Sequence, residues 1–151
     1  MISETDKYHG AVLRNLIAAH SDTPIAFQCV DQHGRLDAFL INARAGIYIK
    51  HSTKRLSPWS FAFHQDHLNE LEELKSIAGE AFVILVCGID GILVITLEEF
   101  NFLLGDCDLA VRSLRVSRDR NSMYSITCSR RTLPRKLSRG VDRVLQAAFS
   151  N

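Results

Sequence analysis

The run Phe82-Val83-Ile84-Leu85-Val86-Cys87 contains no polar side chain. Glu80 precedes it and the turn residues Gly88-Ile89-Asp90-Gly91 follow, so it reads as a strand. A strand with one face in water alternates apolar and polar residues. This one does not alternate, so both of its faces are covered. The chain must therefore place layers on both sides of a sheet and hold this strand inside it. With 151 residues it is long enough for one such domain. Gly88, Asp90 and Gly91 break the wider apolar stretch Ala81–Ile95, so no transmembrane helix is expected. An apolar share of 46% and a charged share of 23% exclude collagen, coiled-coil and disordered classes.

The rest of the chain supplies the layers. Residues 6–20 carry Tyr8, Val12, Leu13, Leu16 and Ile17 at helical spacing, with Pro24 just beyond. Three extended runs follow, Ile25–Asp31, Arg35–Asn42 and Ala45–His51, joined by turns: a meander. Residues 52–62 read as a loop. Trp59, Phe61 and Phe63 alternate with polar or small residues there, which fits an extended segment anchored to the core. Leu68, Leu71, Leu74 and Ile77 form the apolar stripe of a second helix over 64–79. Ile92–Thr96 pairs back onto the central strand. Thr96 and Glu99 have capping-box spacing for a short helix that ends at Gly105. Arg112–Ser117 and Met123–Cys128 read as a hairpin, and a last helix covers about 139–149.

The first six elements are helix, three-stranded meander, helix and strand. Over residues 4–87 this order resembles the αβββαβ core of the PD-(D/E)XK superfamily, the restriction-endonuclease-like fold. The expected fold class is therefore α/β (α+β) with a mixed central sheet. Strands and a short helix over 88–128 extend the core. A basic stretch and helix over 129–151 complete a single domain, 1–151. The resemblance implies metal-dependent phosphodiester cleavage with Mg²⁺ or Mn²⁺ as cofactor. Asp37 matches the family's metal-binding acid. Lys50 matches its lysine, held to polarise the attacking water or stabilise the phosphorane. Glu4 or Asp6 matches the acid of the first helix. Where the family has an acid two residues before the lysine, this chain has Tyr48. Some members carry that acid on the following helix, where Asp66 and Glu70 are the candidates, Asp66 as metal ligand and Glu70 as catalytic acid. Without an acid there, the fold survives as a binding module.

A two-residue turn at Ala43-Arg44 would pair Asn42 with Ala45. Asp37 then stands opposite Lys50, on the face of Tyr48, with Cβ atoms about 5 Å apart. An ordinary cross-strand ion pair, worth about 0.2–1 kcal/mol, is the plainer interpretation of the same two residues.

Charge is segregated. Ten arginines and lysines lie between Val111 and Arg143, opposed only by Asp119 and Asp142, whereas the whole chain has a net charge of +1. An anionic partner, or a second copy meeting the acidic helix over 64–79 with Glu70, Glu72 and Glu73, is expected there. For DNA or RNA the candidate contacts are Lys54, Arg55, Arg118, Arg120, Arg130, Arg131, Arg135 and Lys136. Trp59 either stacks on a base or packs inside its loop. His64 and His67 share a helix face, as a metal pair or as capping residues. No Cys-x-x-Cys, phosphate loop or nucleophile elbow occurs. The start Met1–Asp6 is acidic and polar, unlike a secretory signal. A cytoplasmic protein with Cys29, Cys87, Cys107 and Cys128 as reduced core thiols is expected.

Overall fold

The computed structural model describes residues 1–20, 22–105, 110–129 and 131–150. Helix α1 (Glu4–Ala19) starts at Ser3, whose hydroxyl and backbone N–H form a capping box with Asp6. Strands β1 (Phe27–Gln32), β2 (Arg35–Ile41) and β3 (Ala45–Ser52) form the meander. Strand β4 (Trp59–His64) precedes helix α2 (Gln65–Ala78). Strands β5 (Glu80–Cys87) and β6 (Gly91–Thr96) lead into helix α3 (Leu97–Leu104). Strands β7 (Val111–Ser117), β8 (Ser125–Cys128) and β9 (Arg131–Thr132) precede helix α4 (Asp142–Ala148). No described helix is long and apolar enough to cross a membrane.

The larger sheet is mixed, in the order β1-β2-β3-β5-β6. β3 and β5 run parallel, which requires the crossover through α2, and the other pairs are antiparallel. β5 sits between β3 and β6 as its apolar run demands. Val83 and Leu85 are 0% exposed and Val86 is 3% exposed. One face of this sheet packs through Ile47, Ile49, Ile84 and Val86 against Val12 and Leu16 of α1 and Val144 of α4. The other face packs through Tyr48, Val83, Leu85 and Leu93 against α2, α3 and a second sheet. That sheet has the order β4-β7-β8-β9.

Two expectations are corrected here. Residues 59–64 are a strand rather than loop, so β4 is inserted between the meander and α2, and the six core elements are not consecutive. Its alternating Trp59, Phe61 and Phe63 are buried, and its partner β7 lies some fifty residues along the chain, with Trp59 opposite Val116. Cys29 is exposed on β1, whereas Cys87 and Cys128 are buried. Burial pushes the Cys87 thiol up to about 12. Cys107 lies outside the described residues.

The outer edge of β6 is covered. Gly140 donates its N–H to the Ile92 carbonyl at 2.9 Å, and Arg143 Nη1 donates to the Val94 carbonyl at 3.0 Å. Arg143 is held by Glu99 at 2.7 Å.

Candidate functional site

The meander turn is one residue longer than its sequence suggests. Asn42 and Ala43 both adopt positive φ, 52° and 56°, and Ile41 pairs with Ala45. The register therefore shifts by one: Ala38 faces Tyr48 where Phe39 was expected. A one-residue slip moves every side chain to the other face. Asp37 lies toward α1, where His9 Nε2 is 3.9 Å away, and not directly across from Lys50. Lys50 shares the Tyr48 face. Its ammonium lies over the Phe63 ring, 5.1 Å from the centroid. Burial pushes the Lys50 pKa down, and the Asp37 charge offsets part of that.

On the Tyr48 face, α2 delivers a carboxylate. Glu70 is 3% exposed. Its Oε2 accepts the Tyr48 hydroxyl at 2.9 Å, and its Oε1 lies 2.9 Å from the Arg35 guanidinium. The Glu70 carbonyl accepts from the buried Gln32 amide at 2.9 Å. Burial, then the bond to Glu70, pushes the Tyr48 phenol well above its usual range. So an acid does reach the place two residues before Lys50, but a cation and a hydroxyl already occupy both of its oxygens.

A divalent ion does not fit this arrangement. Mg²⁺ prefers carboxylate, carbonyl and water oxygens and is poorly served by a carboxylate neutralised by arginine. Asp37 is directed by the strand alternation toward α1 and His9, although its charge still acts on Lys50, Tyr48 and His67. Asp66 is 80% exposed at the start of α2, 3.7 Å from Arg35. Among the described residues no three His, Cys, Asp or Glu side chains gather closely enough to hold a metal. Glu4 is exposed on α1, 3.3 Å from Lys7.

His67 belongs to the same cluster and serves as a cap. Its Nδ1 accepts the His64 backbone N–H at 2.9 Å, and its Nε2 lies 3.1 Å from Arg35 Nη1. Burial, then the charges of Lys50 and Arg35, bring it from 6.5 down to about 4. The unfolded chain thus takes up this proton first. The stabilisation is complete above pH 6.5 and declines between 6.5 and 4, with a slope of at most about 1.4 kcal/mol per pH unit. Urea midpoints of the parent and of His67→Gln across that range should diverge toward neutral pH. Parallel curves would remove His67 as the source.

The basic residues have a separate organising centre, Asp90 in the β5–β6 turn. Its carboxylate takes two bonds from Arg118, at 2.9 and 2.6 Å, and one from the Tyr124 hydroxyl. The Arg118 bonds hold Asp90 below the usual carboxylate range. Burial, then Asp90, pushes Tyr124 up to about 12. Arg118 N–H also donates to Ser57 Oγ at 3.0 Å in the β3–β4 loop. Tyr124 exchanges backbone bonds with Leu137 at 2.8 Å. Gly88 donates to the Ser52 carbonyl, and Trp59 Nε1 donates to the Lys54 carbonyl at 2.8 Å. Four segments thus meet beyond the C-terminal ends of the parallel strands β3 and β5, where open α/β sheets bind ligands.

That convergence sorts the expected contacts. Lys54, Arg55, Arg120, Arg135 and Lys136 are exposed, with no carboxylate partner among the described residues. Arg118 is committed to Asp90. Arg131 lies over the Phe102 ring and donates to its carbonyl at 3.0 Å. Trp59 is 1% exposed, so its ring packs inside the loop and is not open to a base. Arg130 lies outside the described residues. The acidic helix does not pair with the basic segment through Glu70, which goes to Arg35. Sequence reasoning missed Arg35 and Asp90 as organising residues. Asp90 offered one signal, an acid between two glycines ahead of an arginine-rich hairpin. No protein-family model, curated protein or solved structure matches this chain.

Proposed function

We propose that this chain is a nucleic-acid-binding domain on a restriction-endonuclease-like framework whose cleavage centre has become a structural lock. The observation that carries the binding is the end built around Asp90. It presents Lys54, Arg55, Arg120, Arg135 and Lys136 without carboxylate partners among the described residues. Densely placed like charges repel in the free protein and are relieved by an anionic partner. The framework is supported by the sheet order β1-β2-β3-β5-β6 with its one parallel pair at β3 and β5. The lock is Tyr48, Glu70 and Arg35, which uses the acid that cleavage would need.

The test is fluorescence anisotropy with duplex DNA, single-stranded DNA and RNA at about 50 mM salt and above. Binding should weaken linearly on a log–log plot. The double variant Lys54→Ala, Arg55→Ala should flatten the duplex slope by about 1.8, two phosphates at 0.9 each. It should do so for all sequences, because phosphate contacts carry no base information. Incubation with Mg²⁺ or Mn²⁺ should leave plasmid intact. No binding to any of the three nucleic acids would overturn the proposal. Cleavage lost in both Asp37→Ala and Lys50→Ala would overturn the lock. A second interpretation, self-association, draws on the recess of about 370 Å³ lined by Glu72, Glu80 and Glu98 against the single cation Lys75, a net acidic counterpart to the basic end. Salt-dependent sedimentation of the protein alone would favour it.

A further inference from the structure

Two recesses meet at Arg139 and Gly140, and their chemistry differs. One, of about 290 Å³, is a groove with a net positive lining, Arg135, Lys136, Arg139 and Arg143 against the acids Glu99 and Asp142. Arg143 is held by Glu99. Arg135 and Lys136 have no such partner among the described residues. Arg139 has Asp90 nearby, but Arg118 and Tyr124 already hold that carboxylate.

The other recess, of about 530 Å³, lies between α1 and the β5–β6 turn. Its apolar lining comes from Val86, Ile89 and Ile92, with Tyr8 on the α1 side. The Tyr8 ring stacks on His51 at a centroid separation of 4.6 Å and an interplanar angle of 16°. Lys7, Asn15, Glu4 and Asp90 add polar groups to the lining, and both carboxylates are countered, Glu4 by Lys7 at 3.3 Å and Asp90 by Arg118 at 2.6 Å. Asn15 spends its amide N–H on the Ala11 carbonyl at 2.7 Å, which leaves its side-chain oxygen as an acceptor.

A cationic groove that opens into an apolar, aromatic-walled slot is suited to a polyanion with a flat apolar appendage. A base in a duplex is stacked and paired and does not offer its faces. An unpaired base does. The slot volume is ample for one nucleotide. Building on the nucleic-acid reading above, we infer that the cleft between α1 and the β5–β6 turn takes one unpaired base of a single strand. The backbone of that strand passes Arg139 into the groove of Arg135 and Lys136. The cleft chemistry is common to single-stranded DNA and RNA.

The test compares a 12-nucleotide single strand with the blunt duplex of the same sequence, by anisotropy at fixed salt. The single strand should bind at least about tenfold tighter. Tyr8→Ala should weaken it about tenfold, as loss of one stacked base does, and leave the duplex unchanged. Tyr8→Phe should retain binding. Ile89→Asp, at a residue 83% exposed, introduces an anion into the slot without touching the core and should also weaken the single strand alone. Arg139→Ala should flatten the single-strand salt slope by about 0.7. Equal affinity for the two substrates, with Tyr8→Ala and Ile89→Asp neutral, overturns the cleft assignment and leaves nucleic-acid binding standing. Absence of binding to both overturns the two together.

Discussion

Glu70→Ala is expected to destabilise the fold by about 2–4 kcal/mol in urea denaturation at pH 7. The carboxylate is 3% exposed and serves two partners. Truncation strands the hydroxyl of Tyr48, whose ring is 0% exposed, at about 1–3 kcal/mol. It also strips Arg35 of its nearer counter-charge and leaves only the exposed Asp66 at 3.7 Å. Removing one member of a fully buried pair costs about 3–5 kcal/mol. The Arg35 side chain is 39% exposed and recovers water, so the total falls short of that range. Tyr48→Phe alone leaves Glu70 with Arg35 and should cost about 1 kcal/mol. Combining Tyr48→Phe with Glu70→Ala should recover part of the loss, because the stranded hydroxyl is gone. A change within 0.5 kcal/mol of the parent for Glu70→Ala would show that the three residues do not form a lock.

Gly88→Ala should be about as damaging, roughly 2–4 kcal/mol, for an unrelated reason. Gly88 has φ +53°, where a side chain is strained. An added Cβ would press on the Lys54 carbonyl oxygen well inside contact distance and come within 3.6 Å of Trp59 Nε1. The obstacle is the Lys54 carbonyl, which is backbone and fixed, whereas Trp59 Nε1 stands at ordinary contact distance. The β3–β4 loop must therefore move, and the Trp59 to Lys54 bond must lengthen. Displacing that loop also displaces Lys54 and Arg55. Nucleic-acid affinity should fall as far as in the Lys54→Ala, Arg55→Ala double variant. Parent-like stability together with parent-like binding would contradict the placement of this loop.

The contrast between these two sites reflects what a sequence carries. The central strand, the helices and the Thr96–Glu99 cap were legible because their signals are local: an unbroken apolar run, a stripe of leucines, a spacing of three. The meander was legible as well, but its register was not. Asn42 and Ala43 both enter left-handed backbone, and alanine gives no warning of that. One residue of slip sent Asp37 to the α1 face. Strand β4 carried its alternation openly, yet nothing local pointed to β7, which lies some fifty residues along the chain beyond α2, β5, β6 and α3. Glu70 could be named as a candidate acid from its helix. Its capture by Arg35 could not, because the partner lies on another element 35 residues earlier. The basic segment was visible as composition. Which arginines are occupied depended on Asp90, one acid in a tight turn.

The cover on the β6 edge limits how copies of this chain can polymerise through the five-stranded sheet. An open sheet usually has two exposed rims, and each can template another copy. Here Gly140 and Arg143 occupy carbonyls along one rim, leaving β1 as the available one. Two copies joined rim to rim through β1 would each consume the other's free edge and close as a symmetric pair. No growing end would remain on that sheet, so edge pairing stops at two instead of running into a fibre.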